Sequence, residues 1–210
     1  MVDRRVIDTS HGPARLVQRR AARPWATLVL THGAGGGIEA PDLAALATRL
    51  PRRGVSVALV EQPWRVAGKK VAAAPAVLDE GFVAVVNRLR PQTPMYVGGR
   101  SAGARVGCRT GRTLGAVGVV ALAFPLHPPG RPERSRVDEL LESELPTLVV
   151  QGERDPFGRP SEFPPQQTLV GVPDADHGFA VPKRAATTRA EALAAIVDAV
   201  ETWLARRGGR

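Results

Sequence analysis

Met95-Tyr-Val-Gly98-Gly99-Arg100-Ser101-Ala102-Gly103 is a short apolar run that ends in the pattern G-x-S-x-G. The run reads as a buried strand, and the residues after Gly103, including Val106 and Cys108, read as a helix. A serine between a strand and a helix in this pattern sits on a sharp turn in strained backbone geometry. Glycines two before and two after it let neighbouring backbone approach. Five residues match by chance often enough that the pattern alone carries little. The alternative is a glycine-rich turn with a bystander serine, and the strand-turn-helix context favours a nucleophile at Ser101.

Outward from this turn, apolar runs alternate with helical patterns. Ala26–Leu30 is a strand that ends in His32-Gly33-Ala34-Gly35-Gly36-Gly37. Further strands are read at Val55–Val60, Ala116–Leu122, Pro146–Gln151 and Gln167–Val172, with helices at about 41–52, 76–90 and 185–207. Residues 5–20 read as a hairpin around Ser10-His11-Gly12-Pro13, and residues 125–137, rich in Pro and Arg, as a loop. Near-continuous apolar strands separated by helices predict an α/β protein whose mostly parallel sheet is flanked by helices on both faces. Residues 1–210 are read as one domain, with little chain left over for a lid.

Composition narrows the function classes. The chain is 43% apolar, and no run of about 18 apolar residues suggests a membrane span. The first residues lack the apolar core of a secretory signal, and the single cysteine, Cys108, suits a reducing compartment. Cytoplasm is the expected location. The formal charge of +9 raises the question of nucleic acid. Nearly all of it is arginine spread along the chain, with lysine only at 69, 70 and 183. A nucleic-acid footprint needs a gathered patch, so neither a nucleic-acid nor a membrane partner is expected.

A serine hydroxyl needs a base. Of the four histidines, His11 lies in the hairpin turn and His32 belongs to the glycine loop, which it braces. His127 lies in the rigid Phe124-Pro-Leu-His-Pro-Pro129 and is a candidate pocket-lining residue. His177, in Asp174-Ala-Asp-His-Gly-Phe179, falls between the last strand and the last helix, and is the candidate base. Gln151-Gly-Glu-Arg-Asp155-Pro-Phe-Gly158 follows the preceding strand and supplies Asp155 to fix the tautomer of His177. Glu153 competes for that role, while Asp174 and Asp176 are too close in sequence to His177 and suit loop capping. The amides of Ala34 (or Gly35) and Ala102 are the candidate oxyanion donors. A phosphate loop does not fit, because G-x-G-x-x-G from Gly33 would need glycine where Ile38 stands.

Readings also attach to six more positions. Trp64 and Phe157 are equally suited to a pocket wall or to loop core. Arg100, beside the nucleophile, with Lys69 and Lys70 would favour an anionic substrate, against the ordinary reading of solvated surface charge. Cys108 reads as a small buried hydrophobe.

The motif set His32-Gly-Ala-Gly-Gly, Gly98-Gly-Arg-Ser-Ala-Gly, Phe124-Pro-Leu-His-Pro-Pro, Gln151-Gly-Glu-Arg-Asp-Pro-Phe-Gly and Asp176-His-Gly-Phe resembles one group of proteins. These are the small bacterial α/β-hydrolases similar to dienelactone hydrolase and to the testis-expressed hydrolase-like proteins of animals. The resemblance spans roughly residues 25–180, and Glu61-Gln-Pro-Trp-Arg also fits it. It implies the α/β-hydrolase fold, a core without a lid, and a triad in the order Ser101, Asp155, His177. Dienelactone hydrolase itself has a cysteine nucleophile where this chain has serine, so the resemblance does not imply its particular lactone chemistry. The expected function is acyl transfer to water from a small-molecule ester or related substrate, with no metal or cofactor. The rival is a non-enzymatic interaction module on the same fold.

Overall fold

Strands that are apolar along their whole length can be satisfied only where both faces are covered. The computed structural model, which describes residues 2–208, places them so. Among the described residues, eight strands form one sheet: β1 (Val2–Thr9), β2 (Gly12–Arg19), β3 (Ala26–Thr31), β4 (Val55–Glu61), β5 (Met95–Arg100), β6 (Gly118–Leu122), β7 (Thr147–Gly152) and β8 (Thr168–Val172). Their order is β1-β2-β4-β3-β5-β6-β7-β8. β1 and β2 are antiparallel, β2 joins β4 antiparallel, and β4 through β8 run parallel with β3. Every residue of β3, β4, β6 and β7 is buried.

The helices are α1 (Pro41–Arg49), α2 (Pro63–Val66), α3 (Pro75–Val86), α4 (Ala102–Thr110), α5 (Val137–Leu141) and α6 (Arg189–Arg207). Leu43 and Leu46 of α1 and Ile196, Val200 and Leu204 of α6 pack on one face of the sheet with Leu28, Leu30 and Val57. Phe82 and Val85 of α3, Val106 and Cys108 of α4 and Leu140 of α5 pack on the other with Val29, Val97 and Val149. The chain therefore leaves β3 for one face and the neighbouring β5 for the opposite face. The two exits part above the carboxyl ends of these strands, which opens the crevice where α/β sheets place their sites.

The differences from the sequence reading have local causes. The hairpin turn is shorter than read: Pro13 lies in β2, opposite Asp8, below the stretch where β2 pairs with β4, so its missing N–H costs no ladder bond there. Helix α1 stops at Arg49 and tightens into a 3₁₀ turn over Leu50–Arg53, which Gly54 ends at φ +85°. Helix α3 stops at Val86, and Arg90 turns at φ +44°. Helix α6 starts at Arg189, after Thr188, whose hydroxyl accepts from the Glu191 amide while the Glu191 carboxylate accepts from the Thr188 amide. The short α2 and α5 were not foreseen, because one turn of helix leaves no periodicity to read. Between β6 and β7, the described residues carry only a 3₁₀ turn at Pro132–Arg134 and α5. No helix among them is long and apolar enough to cross a membrane.

Candidate active site

Ser101 joins β5 to α4 at φ +54°, ψ −113°, a region a β-carbon residue occupies at a cost of about 1–3 kcal/mol. The surroundings hold it there. Its N–H donates to Leu122 O at 2.9 Å, and its carbonyl accepts from Ala104 N at 3.0 Å and Arg105 N at 3.3 Å. A Cβ on Gly99 or on Gly103 would overlap the carbonyl of Thr31, at the end of β3. Both glycines of the pattern are thus required by one close approach, that of the β3 end to the turn.

His177 lies in a tight turn after β8. Its Nε2 is 2.9 Å from Ser101 Oγ and its Nδ1 is 2.8 Å from Asp155 Oδ2. Asp155 is buried in the loop after β7. Its Oδ2 also accepts from Gln151 Nε2 at 2.8 Å, and its Oδ1 accepts from Phe157 N at 2.8 Å. Three donors therefore fix the plane of the carboxylate. With Asp155 as an acceptor, Nδ1 carries a proton and Nε2 is left to accept one from Ser101. Glu153 is exposed, and His177 is paired with Asp155 instead. Asp174 and Asp176 cap the loop: Asp176 Oδ1 accepts from Gly178 N at 2.7 Å and Ala180 N at 2.9 Å, and Asp174 Oδ2 from Thr187 N at 3.3 Å.

The glycine loop meets the same turn. A Cβ on Gly33 would lie 3.1 Å from Ser101 Cβ and 3.2 Å from Arg100 O. Ala34 and Gly35, next in the chain, are exposed. Ala102 opens α4, where the first amides have no intrahelical acceptor. His32 braces the loop from below. Its Nδ1 is 2.9 Å from Gly33 O, and its Nε2 accepts from Gln62 N at 3.0 Å, the arrangement of a neutral ring. Burial holds the imidazole below its usual range, against the pull of the Gly33 carbonyl.

The remaining candidates divide. Phe157 is half-buried, with its ring 4.3 Å from that of His177, so it walls the base. Trp64 is core: it is 6% exposed, packs in the α3–α4 layer and meets the His32 ring at 5.5 Å. Arg100 is no open anion receptor, because its side chain is 14% exposed, ion-pairs with buried Asp42 at 3.4 Å and donates to His177 O at 2.8 Å. Lys69 and Lys70 are exposed on the loop after α2. Cys108 is buried, and burial pushes its thiol up to about 12, which leaves no thiolate for chemistry. Sequence reasoning missed Gln151 and Asp42. A glutamine ending an otherwise apolar buried strand was the available signal for Gln151; Asp42 had none beyond its place in the first turn of α1.

His127 is bound on both sides. Nδ1 is 2.9 Å from Pro128 O and Nε2 is 2.9 Å from Glu162 Oε2, so only a doubly protonated ring satisfies both acceptors. The Pro128 carbonyl, and then the Glu162 carboxylate, raise its pKa above 6.5. Glu162 is lowered from 4.5, first by the Arg159 amide and then by His127. A raised histidine stabilises fully below 6.5 and loses its contribution as pH rises through the folded value. A lowered carboxylate loses its own as pH falls below 4.5. His127→Gln is therefore expected to depress the melting temperature more at about pH 5.5 than at about pH 8.5. Equal depressions at both would show that the ring is neutral in the fold.

Comparison with known proteins follows the same lines. The profile of the α/β-hydrolase domain family matches residues 24–205. Among solved structures, the chain is similar to an α/β serine hydrolase without a lid from Xanthomonas campestris, at 21% identity and a TM-score of 0.71 over 96% of this chain and 94% of that one. It is similar to dienelactone hydrolase from Anabaena variabilis, at 17% identity and a TM-score of 0.74 over 98% and 97%. It is also similar to Est1E from Butyrivibrio proteoclasticus, at 14% identity and a TM-score of 0.72 over 99% of each chain. At these identities the solved structures speak for the fold, and the family match covers most of the sequence. The chain belongs to the α/β-hydrolase domain family.

Proposed function

We propose that this protein is a serine hydrolase that cleaves carboxylic esters or related acyl groups through an acyl-enzyme on Ser101. The observation that carries the reading is the unbroken line from Ser101 Oγ through His177 to Asp155, with hydrogen bonds of 2.9 and 2.8 Å, on a serine held at positive φ. Oγ attacks the acyl carbonyl as His177 Nε2 takes its proton. The carbonyl oxygen becomes an oxyanion and is met by the amides of Ala34 (or Gly35) and Ala102. Collapse breaks the bond to the leaving group, which takes the proton from Nε2. Water then attacks the acyl-enzyme, gives a proton to Nε2, and the acid departs as the proton returns to Oγ. Asp155 keeps the ring oriented and stabilises the imidazolium.

The half-buried Ser101 and the exposed Ala34 and Gly35 favour an open site and small or protruding substrates. Phe157, whose ring lies tilted against that of His177, is placed to contact the acyl or leaving group. Residues 1–210 would act as one domain. The motif set supports, within the same proposal, kinship with the testis-expressed hydrolase-like proteins.

A fluorophosphonate probe tests the reading without knowledge of the substrate. Intact mass of the treated protein is expected to show one adduct on the native chain and none on Ser101→Ala or His177→Ala. A folded native protein that takes no adduct would leave the fold serving as an interaction module.

A further inference from the structure

The turn that carries His177 is shaped from within by Asp176, whose side chain accepts from Gly178 and Ala180 and whose carbonyl accepts from Phe179 N at 2.9 Å. None of these bonds ties the turn to β5, which presents Ser101. That tie is made by Arg100, the last residue of β5, whose Nη2 donates to His177 O at 2.8 Å. The same guanidinium lies against two glycines: a Cβ on Gly178 would be 3.6 Å from Nη2, and one on Gly33 would be 3.5 Å from Nη1. A single planar group thus touches the turn of the base and the loop beside the nucleophile, while its own main chain leads into Ser101.

Asp42, in the first turn of α1, holds the group from behind. Its side chain has no exposure, and its Oδ2 lies 3.4 Å from Arg100 Nε, at ion-pair range with no hydrogen bond between them, so the hold is electrostatic. Burying two ions costs several kcal/mol each, and well-packed apolar residues in their place are often as stable or more so. Stability alone therefore accounts poorly for such a pair. What an apolar pair lacks is a guanidinium that donates to a carbonyl from one nitrogen while another lies at ion-pair range of a carboxylate. Sites tolerate only about half an ångström of misplacement, and their supporting contacts set that tolerance.

We propose that Arg100, anchored by Asp42, is a positioning residue that fixes the main chain of His177 and so aims the imidazole at Ser101 and Asp155 together. The inference rests on the hydrolase reading and adds a supporting part to it.

The test uses the full chain in native form, as Arg100→Met/Asp42→Asn, which removes both charges and strands neither, and as Arg100→Lys, which keeps the charge without the fork. Three quantities are read: the thermal melt, kcat and KM for p-nitrophenyl acetate, and the imidazole ¹⁵N shifts of His177, assigned with His177→Gln. The double variant is expected to fold and to lose about 10–100-fold in kcat with KM within about twofold. Its His177 shifts are expected to move from a single Nδ1–H tautomer to an averaged mixture. Arg100→Lys is expected to do the same, since one ammonium cannot serve both partners. A folded double variant with native kcat and a native His177 tautomer would overturn the proposal, as would full recovery of both in Arg100→Lys. Should the double variant not fold, Arg100→Lys carries the same readouts. Should the native protein neither hydrolyse the ester nor take the phosphonate, the hydrolase reading fails, and the ¹⁵N comparison still decides whether Arg100 orders His177.

Discussion

Replacing Ser101 or His177 with alanine is expected to lower ester turnover by about 10⁴–10⁶-fold, and replacing both to lower it hardly further. The two groups act in one step, so the loss of either removes the whole nucleophilic route, and only oxyanion and binding contributions remain. Asp155→Asn should cost about 10³–10⁴-fold in kcat with little change in KM. The geometry explains why the fold would survive that change. Oδ2 accepts from two side chains and Oδ1 from one amide, so an asparagine turns its NH₂ toward Phe157 N, the side with one donor to offend. The carbonyl oxygen then still faces His177 Nδ1, and what is lost is the charge that stabilises the imidazolium. Steady-state kinetics on the three single variants and the Ser101→Ala/His177→Ala double variant check this. Losses for the two alanine substitutions that multiply in the double variant would show that Ser101 and His177 act independently.

The largest effect on folding is expected from Gly98→Ala. A Cβ there would overlap the Val120 carbonyl and lie 2.8 Å from its carbon, on the strand hydrogen-bonded beside it. From the helix side, a Cβ on Gly107 would come within 2.5 Å of the Gly98 Cα, so α4 rests directly on the β5 backbone. Neither the sheet nor the helix can yield without moving Ser101. A cost above about 4 kcal/mol is expected, a large part of the total stability of a domain, and the variant should fail to accumulate as folded protein. Gly36→Ala is the control: beyond its chain neighbours nothing lies within 4 Å of where a Cβ would stand, and its cost is expected within about 0.5 kcal/mol. Urea unfolding of both variants checks the contrast, and a Gly98→Ala protein as stable as Gly36→Ala would mean that β5 and β6 separate more easily than their ladder indicates.

Both effects begin in residues that can be read without coordinates. The near-continuous apolar runs of β3, β4, β6 and β7 pointed to a sheet covered on both faces, because a one-sided sheet would expose them. The glycines around Ser101 announced a close backbone approach, and the positions of Asp155 and His177 after successive strands placed them at one edge of the sheet. That much is local chemistry combined with the regular path of a parallel sheet, and it determined the fold class and the candidate nucleophile, base and acid.

What only the tertiary structure decided is which long-range neighbours each side chain meets. Trp64 was equally suited to a pocket wall or to core, and its burial in the layer formed with Leu78 and Phe82 of α3 makes it core. Arg100 looked like a charge beside a nucleophile, yet its partners lie 58 and 77 positions away, at Asp42 and His177. Periodicity and spacing report a residue's own strand or helix; they do not report which loop folds back over it. The ends of helices were blurred for a related reason, since Gly54, Arg90 and the Thr188 cap act through backbone angles and single hydrogen bonds. Composition therefore shaped the scaffold, while the contacts that would tune the base arise only when two loops and the first turn of α1, distant in the chain, converge on one guanidinium.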